Sequence, residues 1–204
     1  MLKYSPFPSL TLSIRGLDNG GSYTELEKRL RPHLKSSNDS WRVDETYVKV
    51  RGQWMYLYRA VDSVGNTLDF LLNETRSKRA AKRFFRKTLG QSHVSPPRVI
   101  NVDQNAAYPR AIADLKAEND LSDTCQYRVN KYLNNRIEQD HRFIKRRVKP
   151  GLGFGSFPTA WRTIQGYEAM NMIRKGQIRT ASKLDIHAQN RFISVLVRMR
   201  VDIK

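Results

Sequence analysis

Residues 40–50 read SWRVDETYVKV, a strand-like run with an acid, Asp44, in its middle. Aspartate is depleted in strand interiors and is costly to bury, so packing alone does not explain its presence there. Two further acids occupy similarly unusual places, because Asp103 ends the apolar run RVINVDQN and Glu138 lies early in the helix-like segment NNRIEQDHRFIKRR. The pattern predicts that these carboxylates converge on one site.

The stretch 40–50 opens a predicted antiparallel meander. Aromatic and β-branched residues dominate the runs on either side of Gly52, and DSVGN at 62–66 has the composition of a hairpin loop. A short, continuous apolar run later in the chain is typical of a strand buried on both faces. The predicted strands cover residues 41–50, 54–61, 67–72, 98–102 and 126–129.

Apolar residues at helical spacing predict helices between and after these strands. Thr24 and Glu27 have the spacing of a capping box, which predicts a short helix that Pro32 ends. The further predicted helices cover residues 77–89, 108–119, 135–148 and 158–175. Residues 184–204 fit either a helix or a strand. The order of elements predicts an α/β fold, with a mixed five-stranded sheet of three antiparallel and then two parallel strands, and helices on both faces.

The charge of the chain indicates a polyanionic partner. Lys and Arg number 37 against 19 acids, which gives a net charge of +18, and basic surfaces attract phosphates at long range. Nucleic acid fits better than membrane, since no segment reaches the roughly 18 apolar residues that a spanning helix needs and no signal peptide opens the chain. The single Cys125 excludes an internal disulfide. We expect a cytoplasmic protein associated with the nucleoid.

The three acids suit phosphodiester chemistry at neutral pH. The attacking water or hydroxyl must lose a proton, and the leaving oxygen must gain negative charge. Two divalent ions about 3.5–4 Å apart meet both needs, and carboxylates are the oxygen ligands that Mg²⁺ prefers. A metal site formed by Asp44, Asp103 and Glu138 is therefore predicted.

Each acid also has a simpler explanation. Asp44 fits an exposed acid on an edge strand, paired with Arg42. Asp103 fits the start of a turn. Asn135 and Glu138 have the N-cap and N3 spacing of a capping box, which explains the glutamate without any chemistry.

The segment around Glu138 carries cations on one helical face. Glu138, Arg142 and Lys145 are spaced i, i+4 and i+7, which suits a site that holds metal and steers a phosphate backbone. An ordinary ion pair between Glu138 and Arg142 is the alternative. His141 falls on the apolar face and is interpreted as a core histidine.

Two other charged features have interpretations of their own. The helix predicted at 77–89 has a basic face, which fits either a solvated surface or a DNA contact. Asp62 follows a strand, but DSVGN indicates a hairpin tip, so Asp62 is excluded from the predicted site.

Three blocks of the sequence resemble the DDE transposases of bacterial insertion sequences. The blocks cover residues 41–70, 99–109 and 131–154, and the wider likeness covers about 24–178. The nearest resemblance is to the short, single-gene elements that move replicatively and form cointegrates. Residues 104–137 give the family's usual gap of 34 between the second Asp and the Glu, and Lys145 matches the family's basic residue seven positions later.

The resemblance implies a ribonuclease-H-like integrase core. In that family, two Asp and one Glu hold two Mg²⁺ ions, for which Mn²⁺ can substitute. Carried over to this sequence, the metal ligands and catalytic residues are Asp44, Asp103 and Glu138. Water then cuts the element end to leave a 3′-hydroxyl, which attacks a target phosphodiester.

The resemblance also implies the partners. These are the terminal inverted repeats of the element, the target DNA and further copies of the chain, which assemble as a dimer or larger on DNA. Lys145 is expected to contact a backbone phosphate, with Arg142 and Arg146 as neighbouring nucleic-acid contacts.

The predicted organisation has three parts, namely an N-terminal region with a short helix at 1–39, a catalytic core at 40–155 and a C-terminal helical tail at 156–204. The front departs from the family. Residues 2–5 resemble a fragment of its helix-turn-helix, whereas 6–23 do not match, so we hypothesise that this recognition module is degenerate or truncated. The functions that remain open are a transposase, a nuclease on the same fold, and a DNA-binding remnant that regulates intact transposase.

Overall fold

The computed structural model of the chain describes residues 22–129, 135–148, 151 and 153–198. The elements, in chain order, are α1 (Ser22–Leu30), a 3-10 helix (Arg31–His33), β1 (Ser40–Val50), β2 (Gln53–Asp62), β3 (Thr67–Asn73), α2 (Lys78–Leu89), β4 (Val99–Val102), α3 (Ala107–Ala117), β5 (Gln126–Val129), α4 (Asn135–Val148), α5 (Phe157–Arg174) and α6 (Ile186–Arg198).

The strands form one sheet in the order β3-β2-β1-β4-β5. β1 pairs with β2, and β2 with β3, in antiparallel fashion. β4 runs parallel to both β1 and β5. The predicted mixed sheet, with three antiparallel strands followed by two parallel ones, is confirmed.

Helices cover both faces of the sheet. Side chains alternate along β1, so this strand packs against the helices on both sides. Trp41 and Val43 belong to a buried cluster with α2 and α3. Val48 and Val50 belong to a second cluster with α1, α4, α5 and α6. The early and late halves of β1 therefore anchor opposite layers of the molecule.

The β1–β2 hairpin and the chain after α4 both depend on unusual backbone. Arg51 (φ 50°) and Gly52 (φ 78°) form the two-residue turn, and paired positive φ values suit the right-handed twist of a hairpin. Gly153 has a φ of 115°, and a Cβ built there would lie 2.6 Å from the Lys49 carbonyl oxygen. Only glycine lets this segment approach β1 so closely.

Two expectations about the ends of the molecule need revision. α1 begins at Ser22, so Thr24 lies inside the helix and the predicted capping box is wrong. Glu27 instead accepts hydrogen bonds from Arg31 Nε at 3.0 Å and from Gln165 Nε2 at 2.6 Å. The ambiguous C-terminal segment forms a helix over Ile186–Arg198.

Among the described residues, no helix has the length and apolar character to cross a membrane. The proposed remnant of a helix-turn-helix at residues 2–5 lies outside the described residues.

Candidate metal and nucleic-acid site

The acidic site lies where the pairing of β1 with β4 ends. β4 pairs with β1 only from Ser40 to Val43, and Phe154 bridges to β1 at Val50. Asp44 comes directly after the part of β1 that β4 covers. Asp103 follows Val102, the last residue of β4. The carboxyl ends of parallel strands are where sites gather in such sheets, and this end places both acids together.

The structure brings Asp44 and Asp103 together with a third acid, Glu45. One carboxylate oxygen from each lies within 4.8 Å of the others. The side chains of Asp44 and Asp103 are 17% and 29% exposed, whereas that of Glu45 is 1% exposed. The first two acids therefore open to solvent, and Glu45 lies beneath them.

The environment of Asp44 disfavours its charge. Burial, followed by the charges of Asp103 and Glu45, raises the pKa of Asp44 to about 7. The Glu45 backbone N–H, which donates to Asp44 Oδ1 at 2.8 Å, opposes the rise, and the charge of Glu138 adds to it. Glu138 on α4 makes only the smallest of these contributions, and its carboxylate is not part of the group formed by Asp44, Glu45 and Asp103, so its place in the site stays a prediction.

Glu45 was not among the predicted site residues. Three side chains around the site contact its carboxylate. Tyr108 Oη donates to its carboxylate, and Asn105 Nδ2 donates to the same group at 3.2 Å. Arg76, from the β3–α2 loop, pairs with Glu45 and reaches Asp103 Oδ2 through Nη2 at 3.0 Å. The signal in the sequence was the second acid, directly after Asp44, in the same strand.

Arg76 pairs with two of these acids, Glu45 and Asp103. Burial lowers its pKa, but the charges of Glu45 and Asp103, with a smaller contribution from Tyr47, outweigh burial and raise it. Arg76 therefore neutralises part of the acidic site in the absence of metal.

His141 packs against the site from α4. Its Nδ1 lies 3.8 Å from Asp44 Oδ2, and the residue is buried. Burial and the charge of Arg59 hold the pKa of His141 well below its ordinary value, so the ring is neutral. The predicted core histidine is buried as expected, and it also forms a wall of the site.

A buried ion network fixes α4 on the sheet. Arg59 of β2 binds Glu168 of α5 through Nε at 2.7 Å and Asp140 of α4 through Nη2 at 2.5 Å. Lys175 Nζ also lies 2.6 Å from Asp140 Oδ1. Asp140 is two residues from Glu138, so this network sets where α4 presents Glu138.

The predicted nucleic-acid contacts lie on the outer side of α4. Arg142, Lys145 and Arg146 are exposed, as is Glu138. The side chain of Asn135 is not described, so the capping-box explanation for Glu138 is untested.

The basic face of α2 has a structural partner. Lys78 pairs with Asp114 at 2.8 Å, and Lys82 pairs with Glu118 at 2.5 Å, both on or beside α3. These cations bind a neighbouring helix, which neither of the two sequence interpretations foresaw.

Asp62 acts as a hairpin acid, as the sequence indicated. It is fully buried and accepts backbone N–H donors from Val64 at 3.0 Å and Asn66 at 2.8 Å.

The acidic site has the donor set of a divalent-cation site. Oxygens from Asp44, Glu45 and Asp103 converge, and hard cations such as Mg²⁺ take carboxylate oxygens. Burial first, and then the charges of Asp103 and Glu45, raise the pKa of Asp44, and a divalent cation between these groups would offset both effects. The residues present therefore fit such an ion.

Comparison with protein families gives a match over most of this region. The family DDE_Tnp_IS240, described as a DDE domain, matches residues 38–177. The chain is 37% identical over 146 residues to the transposase of the insertion sequence-like element IS431mec from Staphylococcus aureus and to that of IS257 in transposon Tn4003. Each alignment covers 72% of this chain and 62% of the relative, so the chain spans less than two thirds of their length.

Solved structures show the same fold at low sequence identity. The integrase catalytic core domain of HTLV-2, solved in complex with magnesium in a trimeric form, has a TM-score of 0.50 and 13% identity, over 74% of this chain and 97% of that one. Its dimeric form gives a TM-score of 0.50 and 12% identity, over 72% and 92%. The predicted ribonuclease-H-like integrase core is confirmed.

Proposed function

Because this chain belongs to the DDE transposases of insertion sequences, we propose that it catalyses metal-dependent DNA cleavage and strand transfer. The observation that carries the proposal is the convergence of Asp44 and Asp103, at adjacent strands, in one group of carboxylates. Carboxylates gathered in one partly buried group, where burial and their charges disfavour ionisation, suit cation binding better than packing.

Asp44, Asp103 and Glu138 are the proposed catalytic residues and would hold two Mg²⁺ ions, for which Mn²⁺ can substitute. Bound there, the ions would help to deprotonate the attacking hydroxyl and would neutralise charge on the leaving oxygen. Glu45 is the proposed support of this set, because Tyr108, Asn105 and Arg76 all donate to it.

The protein's own side chains prepare the site. His141 closes the α4 side of Asp44 with a neutral ring, so it adds no positive charge that would compete with a cation. Arg76 has to leave Asp103 when that carboxylate takes an ion, while its pairing with Glu45 can persist.

The proposed substrates are the terminal inverted repeats of an insertion sequence and a target DNA. Lys145, Arg142 and Arg146 project from the helix that carries Glu138, so they are the proposed phosphate contacts beside the reacting bond. Two DNA ends must be joined to one target, so self-association on DNA and residence at the nucleoid are part of the proposal.

A strand-transfer assay tests this function. The full chain is mixed with pre-cut element ends and a labelled target duplex, in Mg²⁺ or Mn²⁺. We expect joined product from the parent chain and none from Asp44→Asn, Asp103→Asn or Glu138→Gln. Asp114→Asn is the matched control, since it removes a carboxylate that only pairs with Lys78 and Lys82.

DNA binding separates a chemical defect from a folding defect. Each acid variant is expected to bind non-specific duplex as tightly as the parent or slightly more tightly, because a negative charge is removed beside phosphate. If the chain cleaves DNA but does not join it, the protein is a nuclease and not a transposase. If Asp103→Asn retains both cleavage and joining, Asp103 is not part of the site. If the parent chain binds DNA but neither cuts nor joins it, its function is DNA binding without catalysis.

A further inference from the structure

The β1–β2 hairpin carries exposed aromatic rings just beyond the acidic site. Tyr47 is 47% exposed and Trp54 is 63% exposed, whereas Trp41, earlier in β1, is fully buried. The ring centroids of Tyr47 and Trp54 lie 6.5 Å apart in an edge-to-face arrangement, and those of Tyr47 and Tyr56 lie 5.3 Å apart. We call Tyr47, Trp54 and Tyr56 the hairpin aromatic face.

This face continues the side of the sheet that Glu45 occupies. Side chains alternate along a strand, so Val43, Glu45 and Tyr47 of β1 point the same way. α2 and α3 cover Val43, and Glu45 meets Arg76 at the acidic site. Tyr47 is the next side chain along, roughly 7 Å from Glu45 at the usual rise of a strand. The exposed rings therefore begin where the acidic site ends.

Cations are interleaved with the rings. Lys49 Nζ lies 6.0 Å from the centroid of the Trp54 ring, and Lys49 itself is exposed. Arg51, at the exposed hairpin turn, anchors its Nε on the Gly155 carbonyl at 3.2 Å, and Arg76 pairs with Glu45, two residues before Tyr47. Exposed rings among cations are the combination with which proteins bind unpaired nucleic acid, because bases stack on the rings and phosphates meet the charges.

The same features disfavour a protein partner on this surface. The cores of protein interfaces are depleted in lysine and other charged residues, whereas Lys49 stands among these rings. The net charge of +18 also favours a polyanion over a second copy of a chain that carries the same charge.

We propose that the hairpin aromatic face is a stacking platform for unpaired DNA bases next to the acidic site, with Lys49 on the adjoining backbone phosphate. The inference rests on the proposed function, since it places a freed strand end beside the residues proposed to act on its phosphodiester. Neither Asp44, Asp103 nor Glu138 is needed for the stacking itself.

Binding of the full chain to labelled oligothymidylate, in the absence of divalent metal, tests the platform. Trp54→Ala and Tyr47→Ala are each expected to weaken single-strand binding about tenfold, since one stacked base contributes roughly 1–3 kcal/mol. Binding to a blunt duplex of equal length should change less than about twofold, because its bases are already stacked. Tyr127→Ala is the matched control, because Tyr127 is 48% exposed on β5, at the opposite edge of the sheet from β3.

Two further variants distinguish stacking from loss of structure. Trp54→Phe keeps an aromatic ring and should retain most of the single-strand affinity. Lys49→Gln should reduce the salt dependence of single-strand binding by about 0.7 in the log–log slope, whereas Trp54→Ala should leave that slope unchanged. Equal losses on single strand and duplex, or no loss in Trp54→Ala, would overturn the platform.

An altered sedimentation coefficient in Trp54→Ala, with unchanged DNA affinity, would also overturn it and assign the face to self-association. Failure of the platform leaves the expected loss of strand transfer in Asp103→Asn intact. If the parent chain shows no metal-dependent joining, the proposed function fails, but the expected loss of single-strand binding in Trp54→Ala is unaffected. The two outcomes are therefore separable.

Discussion

At Asp44, one partly buried carboxylate lies beside two other acids, and its chemistry follows from that position. Burial and the charges of Asp103 and Glu45 raise its pKa to about 7, against an ordinary value near 3.8. The folded, metal-free chain therefore holds a proton on Asp44 at pH values where the unfolded chain has released it. Stability from this group is present at low pH and is lost as the pH rises from about 4 to 7.

Asp44→Asn should remove this loss of folding stability with rising pH. The stability of the variant relative to the parent should increase by on the order of 2 kcal/mol as the pH rises across that window, because Asn needs no proton to stay neutral. Urea unfolding with EDTA, from pH 4.5 to 8, measures the difference. Parallel stability curves for the two chains would show that Asp44 is not perturbed.

Arg76 makes a second prediction at the scale of one residue. Its Nη2 lies 3.0 Å from Asp103 Oδ2, where it competes with any incoming ion. Arg76→Gln should therefore tighten Mn²⁺ binding about two- to fivefold, the range expected for one partly exposed ion pair. Titration of free Mn²⁺ by electron paramagnetic resonance, without DNA, measures it. Arg86→Gln is the control, because Arg86 pairs with acids beside α3.

Weaker Mn²⁺ binding by Arg76→Gln would contradict this competition. It would mean that Arg76 holds Asp103 in place for the ion. Losing that support would then weaken ion binding more than removing a competing cation strengthens it.

At the scale of elements, the site exists because two partners share one edge of β1. β4 covers its start, and the segment after α4 bridges to its end at Val50. Strand alternation and a short apolar run made β1 and β4 predictable from the sequence. The acid at Glu45 was visible in the sequence, but its place in the site was not, because adjacent strand residues point to opposite faces. Asp103, directly after the end of β4, joins Asp44 and Glu45 in one group of carboxylates.

Other misses at this scale have similar causes. The partner of the basic face of α2 is α3, and Lys82 and Glu118 are too far apart in sequence for local spacing to pair them. α6 was ambiguous because its apolar run, FISVLV, fits helix and strand alike. Thr24 has the spacing of an N-cap, but α1 continues back to Ser22.

The glycines after α4 provide the test at this scale. Gly153→Ala should destabilise the chain by about 2 kcal/mol, because its positive φ and the nearby Lys49 carbonyl both oppose a side chain. Gly155→Ala is the matched control, since a Cβ there meets nothing within 4 Å. Thermal unfolding compares them, and equal melting temperatures would show that the docking of this segment on β1 does not depend on Gly153.

Over the whole molecule, the positive charge is not uniform in its role. Three cations of α2, namely Lys78, Lys82 and Arg86, are paired with acids on and beside α3, whereas Arg142, Lys145 and Arg146 of α4 are exposed on the helix that carries Glu138. Composition alone indicates an anionic partner, but it cannot tell which cations are available to contact one. That distinction depends on which helices pack together.

Salt dependence separates the two sets of cations. Lys145→Gln should reduce the log–log salt slope of duplex binding by about 1, since one phosphate contact is lost. Lys82→Gln should leave the slope unchanged, because its charge is used by Glu118. Fluorescence anisotropy at several salt concentrations measures both, and equal slopes for the two variants would refute the assignment of DNA contacts to α4.

The central claim is that Asp44, Asp103 and Glu138 share one divalent-cation site. Iron-mediated cleavage of the polypeptide tests it most directly, because Fe²⁺ bound in place of Mg²⁺ generates hydroxyl radicals that cut only the nearby backbone. We predict three sets of fragments, ending near residues 44, 103 and 138, all suppressed by excess Mg²⁺ and absent in Asp103→Asn. Cleavage near only one of these positions, or cleavage that persists in Asp103→Asn, would contradict a shared site.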